Sequence, residues 1–309
     1  MPKVLIADKL SPAAVAIFRE RGVDADVKTG LAKEELIKIV DQYDAIAIRS
    51  ATKLTADVLK AAKNLKVIGR AGIGVDNVDI PAATAAGVIV MNTPFGNSIT
   101  TAEHAISLML ALARELPAAN ASTQAGKWEK NRFMGVEITG KVLGLIGAGN
   151  IGSIVADRAK GLKMRVIAFD PYLSQERAND LGVEKVELGD LLARADFITL
   201  HVPLTAETKN ILSADAIAKT KKGVRIINCA RGGLIDEHAL KAAIDNGHVA
   251  GAALDVFETE PLTAAAAAIF KGIANLILTP HIAGVTEESN VRVSSVTAHA
   301  VMQVLEAGS

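Results

Sequence analysis

The stretch Gly147-Ala148-Gly149-Asn150-Ile151-Gly152 joins an apolar run, Val142–Ile146, to a segment with the pattern of a helix, residues 151–160. The first glycine permits a tight turn, the second lets the backbone approach a pyrophosphate, and the third lets helix and strand pack closely. Asp170 ends the next apolar run, 18 residues after the last glycine, where it can accept hydrogen bonds from ribose hydroxyl groups. Because a carboxylate there repels a 2′-phosphate, the pattern predicts a βαβ unit that binds NAD rather than NADP.

Short apolar runs alternate with amphipathic segments on both sides of this unit, as in parallel α/β sheets. We expect an α/β fold with two doubly wound parallel-sheet domains, a Rossmann dinucleotide-binding domain inserted in a flavodoxin-like substrate domain. The NAD-binding domain is expected at residues 99–285, and the substrate domain at residues 1–98 and 286–309. The predicted strands are Val4–Ala7, Val23–Val27, Ala45–Ile48, Val67–Gly69 and Val88–Met91 in the first sheet, and Val142–Ile146, Arg165–Phe169, Phe197–Leu200, Val224–Asn228, Val249–Asp255 and Leu276–Leu278 in the second.

Two long helices are predicted outside these alternations. Residues 100–114 form a helix whose apolar residues surround its axis, which indicates burial against the core of one chain or against a second subunit. Residues 287–306 follow the last strand and are expected to return to the first domain. The alanine run at residues 264–268 is expected to form a short helix.

Composition excludes several classes of function. Lys and Arg number 34 and Asp and Glu number 34, so there is no electrostatic basis for binding nucleic acid or an anionic membrane. Cys229 is the only cysteine, which rules out an internal disulfide and indicates a reducing compartment. The start of the sequence reads as a strand rather than a secretory signal, and no apolar run is long enough to span a bilayer. We expect a cytoplasmic protein without a metal site.

Polar side chains with catalytic chemistry follow three strands of the second predicted sheet, at Arg231, Glu260 and His281. Ligands of open α/β sheets bind at the carboxyl ends of the strands, so these side chains can converge on the nicotinamide end of the cofactor. A histidine suits hydroxyl proton transfer because its ordinary pKa lies near neutrality, and an acid on its other nitrogen orients the ring. A guanidinium offers a planar fork to a carboxylate and a carbonyl oxygen.

The motifs around these residues resemble those of the D-isomer-specific 2-hydroxyacid dehydrogenase family, and the resemblance covers the whole chain. They are Asn228-Cys229-Ala230-Arg231-Gly232-Gly233, Asp255-Val256-Phe257 with Glu260-Pro261, and Thr279-Pro280-His281. The resemblance implies an NAD-dependent oxidoreductase in which Arg231 binds and activates the substrate, Glu260 partners the histidine, and His281 is the general acid/base. It also implies cofactor contacts at Gly147, Gly149, Asn150, Ile151, Gly152, Asp170, His201, Val202, Pro203, Thr208, Cys229, Ala230, Arg231, Asp255, His281, Ala283 and Gly284.

Three further segments, residues 49–53, 70–76 and 92–94, resemble the branch of the family that converts 3-phosphoglycerate into 3-phosphohydroxypyruvate in serine biosynthesis. Backbone N–H groups in the second segment can form a nest for a carboxylate, and cations at strand ends can neutralise a phosphate. The residues expected to bind substrate are Arg49, Lys53, Arg70, Gly72, Ile73, Gly74 and Asn92. For the lysine, plain solvation is an equal alternative.

Two other functions stay open on the sequence. Residues 262–275 and the end of the chain look closer to short reductases for glyoxylate, hydroxypyruvate or sulfopyruvate (the sulfolactate pair). The same fold with NAD bound also serves as a non-catalytic, partner-binding sensor in relatives of this family. The family suggests a homodimer. Because the sequence ends at Ser309, we expect no regulatory domain after the last helix.

Overall fold

The computed structural model describes residues 1–307, which alternate between strands and helices along almost the whole chain. In chain order the strands are β1 (Lys3–Ile6), β2 (Asp24–Val27), β3 (Ala45–Ile48), β4 (Val67–Arg70), β5 (Ile89–Asn92), β6 (Val142–Ile146), β7 (Arg165–Phe169), β8 (Glu184–Lys185), β9 (Phe197–Leu200), β10 (Val224–Asn228), β11 (Val249–Leu254) and β12 (Leu276–Leu278). The helices are α1 (Pro12–Glu20), α2 (Lys33–Ile39), α3 (Ala56–Ala61), α4 (Ile80–Ala85), α5 (Ser98–Ala113), α6 (Leu116–Gln124), α7 (Asn150–Gly161), α8 (Gln175–Leu181), α9 (Leu188–Arg194), α10 (Ala214–Ala218), α11 (Glu237–Asp245), α12 (Ala264–Ala267) and α13 (Glu287–Ala307). Single 3₁₀ turns, Val40–Gln42 and Ala268–Phe270, follow α2 and α12.

The chain divides into two compact units, one made of Met1–Ser98 with Gly284–Ser309 and the other of Ile99–Ala283. The first unit has a five-stranded parallel sheet with the order β2-β1-β3-β4-β5, which is the flavodoxin-like order. Its central strand, β3, is buried along its whole length because helices cover both faces of the sheet. The last helix, α13, packs on this sheet together with α1, and it belongs to the first unit.

The second unit has a seven-stranded parallel sheet with the order β12-β11-β10-β9-β6-β7-β8. Strands β6 to β11 follow the Rossmann order, with β6 at the point where the strand order reverses. Two apolar clusters, one on each face, bury the whole of β6 and β9. The predicted fold class is therefore confirmed.

Three details differ from the sequence-based prediction. The second sheet has a seventh strand, β8, which two exposed charged residues form at its edge, so it gives no apolar signal. Helix α5 is not apolar all round, because Glu103 and Ser107 lie on an exposed side. Its other side lies in a core cluster of the second unit. Helix α6 was not predicted, and most of its residues are exposed.

Among residues 1–307, no helix combines the length and the hydrophobicity that crossing a bilayer requires.

Candidate active site and cofactor-binding site

A glycine-rich turn links β6 to α7 at the switch point of the second sheet. Gly147 has φ 96°, and a Cβ atom there would lie 2.6 Å from the carbonyl oxygen of His201. A Cβ atom at Gly152 would lie 2.2 Å from the carbonyl oxygen of Gly147, so the helix can pack against the turn only without a side chain. A Cβ atom at Gly149 would meet no other atom within 4 Å. The three glycines therefore differ as the fingerprint requires: two are needed for close packing, and the middle one faces open space.

This open space lies at the start of α7, a helix of 12 residues that begins at Asn150. The unpaired N–H groups at the N-terminus of such a helix, together with its dipole, bind phosphate groups. At the end of β7, the carboxylate of Asp170 accepts hydrogen bonds from the N–H groups of Ala148 and Tyr172, both at 2.9 Å. The acid is thus held beside the glycine-rich turn, where a ribose adjoins the pyrophosphate. The turn, the helix start and Asp170 fit a dinucleotide.

The loop after β9 carries the next group of predicted cofactor contacts, residues 201–208. Its shape is fixed by Thr208, whose hydroxyl donates to the carbonyl of Pro203 at 2.6 Å and accepts from the N–H of Thr205 at 2.8 Å. His201 lies beneath the glycine-rich turn, and its Nε2 is 3.0 Å from the hydroxyl of Thr199. Burial lowers the pKa of His201 to about 4, so its ring is neutral at physiological pH. A neutral ring therefore adds no charge beneath the glycine-rich turn, where the phosphates of a dinucleotide would bind.

An acid and an imidazole meet at the carboxyl edge of the same sheet. Oε2 of Glu260 lies 2.7 Å from Nδ1 of His281, and Oε1 accepts a hydrogen bond from the N–H of Phe257 at 3.0 Å. Burial by itself raises the pKa of Glu260, but the hydrogen bonds from His281 and Phe257 outweigh burial and lower it. Glu260 is therefore ionised and orients the ring of His281 through Nδ1. The predicted partnership of these two residues corresponds to a direct contact.

The backbone of His281 has φ 54°, an uncommon conformation for a residue with a side chain. Asp255 holds it there: its carbonyl oxygen accepts from the N–H of His281 at 2.9 Å, and its carboxylate accepts from the N–H groups of Ile282 and Ala283 at 2.9 and 2.8 Å. The hydroxyl of Thr279 also donates to this carboxylate, at 2.5 Å. Burial alone raises the pKa of Asp255, but the hydrogen bonds that it receives outweigh burial and lower that pKa.

The position of Asp255 departs from the predicted cofactor contact. Its side chain is 0% exposed, and its oxygens are engaged by the chain itself, so it supports the segment that carries His281 instead of facing open space. Cys229, another predicted contact, is buried as well. Burial, aided by the negative charge of Asp255, raises the pKa of the Cys229 thiol, which stays protonated.

Arg231 follows β10, the strand next to β11, in a tightly built turn. The side chain of Asn228 closes this turn, accepting from the N–H of Ala230 at 3.0 Å and donating to the carbonyl of Arg231 at 2.9 Å. The guanidinium of Arg231 donates to the carbonyl of Ala230 at 2.7 Å. A Cβ atom at the next residue, Gly232, would lie 1.8 Å from the carbonyl oxygen of Phe257. The turn of Arg231 therefore contacts the segment that carries Glu260, and the three predicted catalytic residues share one edge of the sheet.

In the first unit, Arg49 and Lys53 follow β3. Asp8, which follows β1, organises this segment: its Oδ2 accepts from the N–H groups of Arg49 at 2.6 Å and Thr52 at 3.1 Å. The guanidinium of Arg49 donates to Oδ1 of Asn290, on α13, at 3.3 Å. Burial lowers the pKa of Arg49, although the charge of Asp8 opposes this shift. The side chain of Lys53 is exposed at the surface of the unit.

Arg70 ends the neighbouring strand, β4, and folds back over the segment that follows it. Its guanidinium donates to the carbonyl of Ala71 at 3.3 Å and occupies the place that a side chain on Gly72 would take, 1.6 Å from a Cβ atom there. The side-chain amide of Asn92, at the end of β5, donates to the carbonyl of Ile73 at 2.6 Å. Neighbouring strand ends of the first sheet thus place the predicted substrate residues beside one another, at the edge where α/β sheets bind ligands.

Sequence reasoning missed three residues that hold these sites: Asp8, Asn290 and the buried Glu237. The acid at the end of β1 was detectable, since it follows a predicted strand as the other candidates do. Neither Asn290 nor Glu237 lies in a motif. Each accepts a hydrogen bond from a residue that is distant in the chain: Asn290 from Arg49, and Glu237 from Glu258. Only the folded structure brings these pairs together.

Residues 106–283 match the family described as D-isomer specific 2-hydroxyacid dehydrogenase, NAD binding domain. The chain belongs to the D-isomer specific 2-hydroxyacid dehydrogenase family, as its motifs predicted, and the cofactor of the matched domain is NAD, as the fingerprint predicted.

Two curated relatives are similar along nearly the whole chain. The D-3-phosphoglycerate dehydrogenase of Synechocystis sp. is 49% identical over 305 residues, which are 99% of this chain and 54% of the relative. The D-3-phosphoglycerate dehydrogenase of Archaeoglobus fulgidus is 49% identical over 302 residues, which are 98% of this chain and 57% of the relative. The chain therefore spans a little over half the length of these relatives. Among solved structures, the TT0316 protein from Thermus thermophilus is 34% identical with a TM-score of 0.91, covering 99% of this chain and 97% of that protein.

Proposed function

We propose that the protein is an NAD-dependent dehydrogenase that interconverts a D-2-hydroxyacid and the corresponding 2-oxoacid. The observation that carries the proposal is the 2.7 Å contact between Glu260 and His281 at the carboxyl edge of the sheet that bears the dinucleotide fingerprint. This chemistry requires a group that exchanges a proton with the hydroxyl, a group that polarises the carbonyl, and a holder for the substrate carboxylate. His281 exchanges the proton, Arg231 polarises the carbonyl and holds the carboxylate, and Glu260 orients the ring of His281.

In the oxidative direction, Nε2 of neutral His281 accepts the hydroxyl proton. Nδ1 is committed to Glu260, which stabilises the imidazolium that forms and fixes the ring in the tautomer that leaves Nε2 as the acceptor. The planar fork of Arg231 binds the carboxylate and the carbonyl oxygen that develops as the hydroxyl is oxidised. NAD supplies the hydride acceptor when it is bound. In reduction, protonated His281 donates its proton from Nε2.

We propose 3-phosphoglycerate as the substrate, with 3-phosphohydroxypyruvate as the oxidised product. Two observations support this choice: the phosphoglycerate activity in the names of the curated relatives, and the cations of the first unit. Arg49 and Arg70 lie at neighbouring strand ends, and the guanidinium of Arg49 donates to the amide oxygen of Asn290, which is a weaker acceptor than a phosphate. The backbone at Gly72–Gly74 and the amide of Asn92 complete this anion-binding set.

A panel of oxoacids tests this assignment. NADH oxidation would be measured with 3-phosphohydroxypyruvate, hydroxypyruvate, glyoxylate and sulfopyruvate, and kcat/KM compared across the four. We expect 3-phosphohydroxypyruvate to be preferred by about tenfold or more, since a charge-assisted bidentate contact contributes at least about 1.5 kcal/mol. A preference for glyoxylate or sulfopyruvate would refute 3-phosphoglycerate as the substrate, but the protein would still be a 2-hydroxyacid dehydrogenase. No turnover with any oxoacid, despite NAD binding, would favour the non-catalytic sensor.

We propose that the protein is a homodimer in solution. In the second unit, Leu116, Trp128 and Met134 are 52%, 86% and 81% exposed, and large apolar side chains exposed in this way favour contact with a second copy. Sedimentation velocity should give a dimer, and Trp128→Glu should shift it towards monomer. A monomeric wild-type protein at micromolar concentration would refute the assignment.

We also propose a cytoplasmic location, which fits the single, protonated thiol and is testable by cell fractionation.

A further inference from the structure

Glu260, which contacts His281, is the last residue of the acid loop, which we define as residues 256–260, directly after β11 and Asp255. Two hydrogen bonds from successive backbone N–H groups shape this loop. The N–H of Phe257 donates to Glu260 itself, at 3.0 Å, which closes the loop locally. The N–H of Glu258 donates to Oε1 of Glu237, at 2.8 Å, which ties the loop to another part of the unit.

Glu237 is the first residue of α11 and is only 9% exposed. Helix starts commonly hold an acid that accepts from the N–H groups of the first turn, but Asp236 already performs that function by accepting from the N–H of Ala239 at 2.9 Å. The carboxylate of Glu237 points instead to a backbone donor 21 residues further along the chain. Its hydrogen bond therefore serves the acid loop and not the cap of its own helix.

A buried carboxylate is unfavourable at this place. Burial raises the pKa of Glu237, and the charges of Glu258 and Asp236 act in the same direction, while the hydrogen bond from the Glu258 N–H and the charge of His238 oppose it. An apolar side chain of similar size would avoid this desolvation cost. The N–H of Glu258 would then lose its acceptor at a partly buried position, and the loop would lose its tie to α11.

We propose that Glu237 is a positioning residue for the proton-transfer pair: by holding the N–H of Glu258, it fixes the acid loop so that Glu260 contacts His281. The kinetic part of this inference rests on the function proposed above. The positional part concerns the apoprotein, so the two can fail separately.

Two matched substitutions test the hydrogen bond. Glu237→Met keeps an unbranched side chain of similar length but removes the acceptor, whereas Glu237→Gln keeps an acceptor oxygen at the same reach. Glu237→Asp keeps the acid and shortens its reach by one methylene, which provides a second loss variant if the methionine variant does not fold. Asp236→Ala removes the cap of the same helix without touching the acid loop, so it controls for general destabilisation of α11.

The first readouts do not depend on turnover. The ring of His281 is observed by NMR in the apoprotein, with His281→Gln used to assign the signal, and the exchange of the Glu258 amide proton is followed in parallel. In the Met and Asp variants we expect the low-field signal of the Nδ1 proton of His281 to move upfield, because its hydrogen bond to Glu260 is weakened. The Glu258 amide should exchange about tenfold faster.

The kinetic readout follows with the preferred oxoacid. We expect kcat to fall about tenfold in the Met and Asp variants, since a displaced proton-transfer group lowers the rate steeply, while KM for NADH changes by less than about twofold. The Gln and Asp236→Ala variants should keep the wild-type Nδ1 proton signal of His281. An unchanged signal in the loss variants would overturn the inference, and so would an equal change in Gln or in Asp236→Ala. If no oxoacid is turned over but the signal changes as expected, the proposed function fails and the positional inference stands.

Discussion

The carboxyl edges of the two sheets hold different functional groups, and the chain holds these groups in place in different ways. At the edge of the second sheet, Asp170, Asp255 and Glu260 are carboxylates that each accept at least two hydrogen bonds from the chain itself. At the edge of the first sheet, the functional groups are the guanidinium groups of Arg49 and Arg70, which donate to an amide and a peptide oxygen at 3.3 Å. The carboxylates of the second sheet, whose edge we call the paired edge, are engaged within the chain, whereas the edge of the first sheet carries two of the proposed substrate-binding cations.

This difference matches the two tasks that a hydroxyacid dehydrogenase has to combine. Proton transfer requires a fixed geometry, and fully paired carboxylates provide it because their orientation does not depend on a ligand. Anion binding requires a group that can engage a partner from outside the chain, and a phosphate or carboxylate is a stronger acceptor than the neutral amide oxygen that Arg49 contacts. Burial has already lowered the pKa of Arg49, so an incoming anion would relieve part of its desolvation cost.

The strongest test of the paired edge is the removal of its imidazole. In His281→Ala we expect kcat to fall by about 10²-fold or more, which is the usual contribution of general acid–base catalysis. Steady-state kinetics in both directions would measure the loss. NAD affinity, determined by calorimetric titration, should stay within a few-fold, because the glycine-rich turn and Asp170 are unchanged.

The control for this variant is His299→Ala, which removes an exposed histidine of α13 whose Nδ1 lies 2.8 Å from the carbonyl oxygen of Ser295 in the same helix. It should retain wild-type turnover. Retention of more than about a tenth of the wild-type kcat in a folded His281→Ala protein would contradict the assigned proton transfer, given the size of effect expected for such a residue.

A second test concerns the cofactor side of the paired edge. Asp170→Asn keeps an oxygen that can accept from the N–H of Ala148 and removes the negative charge that repels a 2′-phosphate. We expect the ratio of kcat/KM for NAD to that for NADP to fall by about tenfold to thirtyfold, which corresponds to about 1.4 to 2 kcal/mol. Asp157→Asn, at an exposed position of α7, is the matched control and should leave the ratio unchanged. Equal use of both cofactors by the wild-type protein would already contradict the role of Asp170.

The positively charged edge is tested by neutralising Arg49. Arg49→Gln should raise KM for 3-phosphohydroxypyruvate by about fivefold to tenfold, since one charge-assisted contact is lost, and should change KM for glyoxylate much less. Lys60→Gln, at an exposed position of α3 in the same unit, controls for the general loss of positive charge. If both substrates lost affinity equally, Arg49 would bind a group that they share, and the phosphate assignment would be wrong.

The sequence predicts the apolar strands and the site residues of the second sheet well. It predicts the exposed edge strand and the contacts that hold the site residues poorly. Five strands of the second sheet have the predicted bounds, because parallel strands are continuous apolar runs between turn residues. They are Val142–Ile146, Arg165–Phe169, Phe197–Leu200, Val224–Asn228 and Leu276–Leu278. Strand β8 has no such signal, since its residues, Glu184 and Lys185, are exposed and charged.

The same difference separates the residues that perform the proposed chemistry from the contacts that hold them in place. Arg231, Glu260 and His281 follow strands, so the rule that ligands bind at the carboxyl ends of strands identifies them. The contacts that hold them depend on packing between distant segments, as for Glu237 with Glu258, and no local pattern contains that information. The rule also identifies Asp255 and predicts that it contacts the cofactor. In the structure its side chain is fully buried and accepts a hydrogen bond from Ala283, in the segment that carries His281.

The smallest expected effect comes from the pH dependence of stability at the paired edge. The pKa of Glu260 is lowered in the folded protein, so its contribution to stability is complete above the ordinary pKa of glutamate, about 4.3, and is lost as the pH falls through the lowered value. Glu260→Gln lacks this contribution at every pH. The wild-type Tm should therefore exceed that of the variant near pH 7, and the difference should shrink below about pH 4.

We expect this difference in Tm to be only about 1 to 2 °C, because the side chain of Glu260 is 34% exposed and solvent screens its interaction with His281. Calorimetric scans between about pH 3 and pH 7 would measure it, with Glu258→Gln, an exposed neighbour in the same loop, as the control. A difference that stayed constant across this range would mean that the contact with His281 does not depend on ionisation of Glu260. The paired edge would then owe its geometry to packing alone, and the contrast with the charged edge of the first sheet would lose its electrostatic basis.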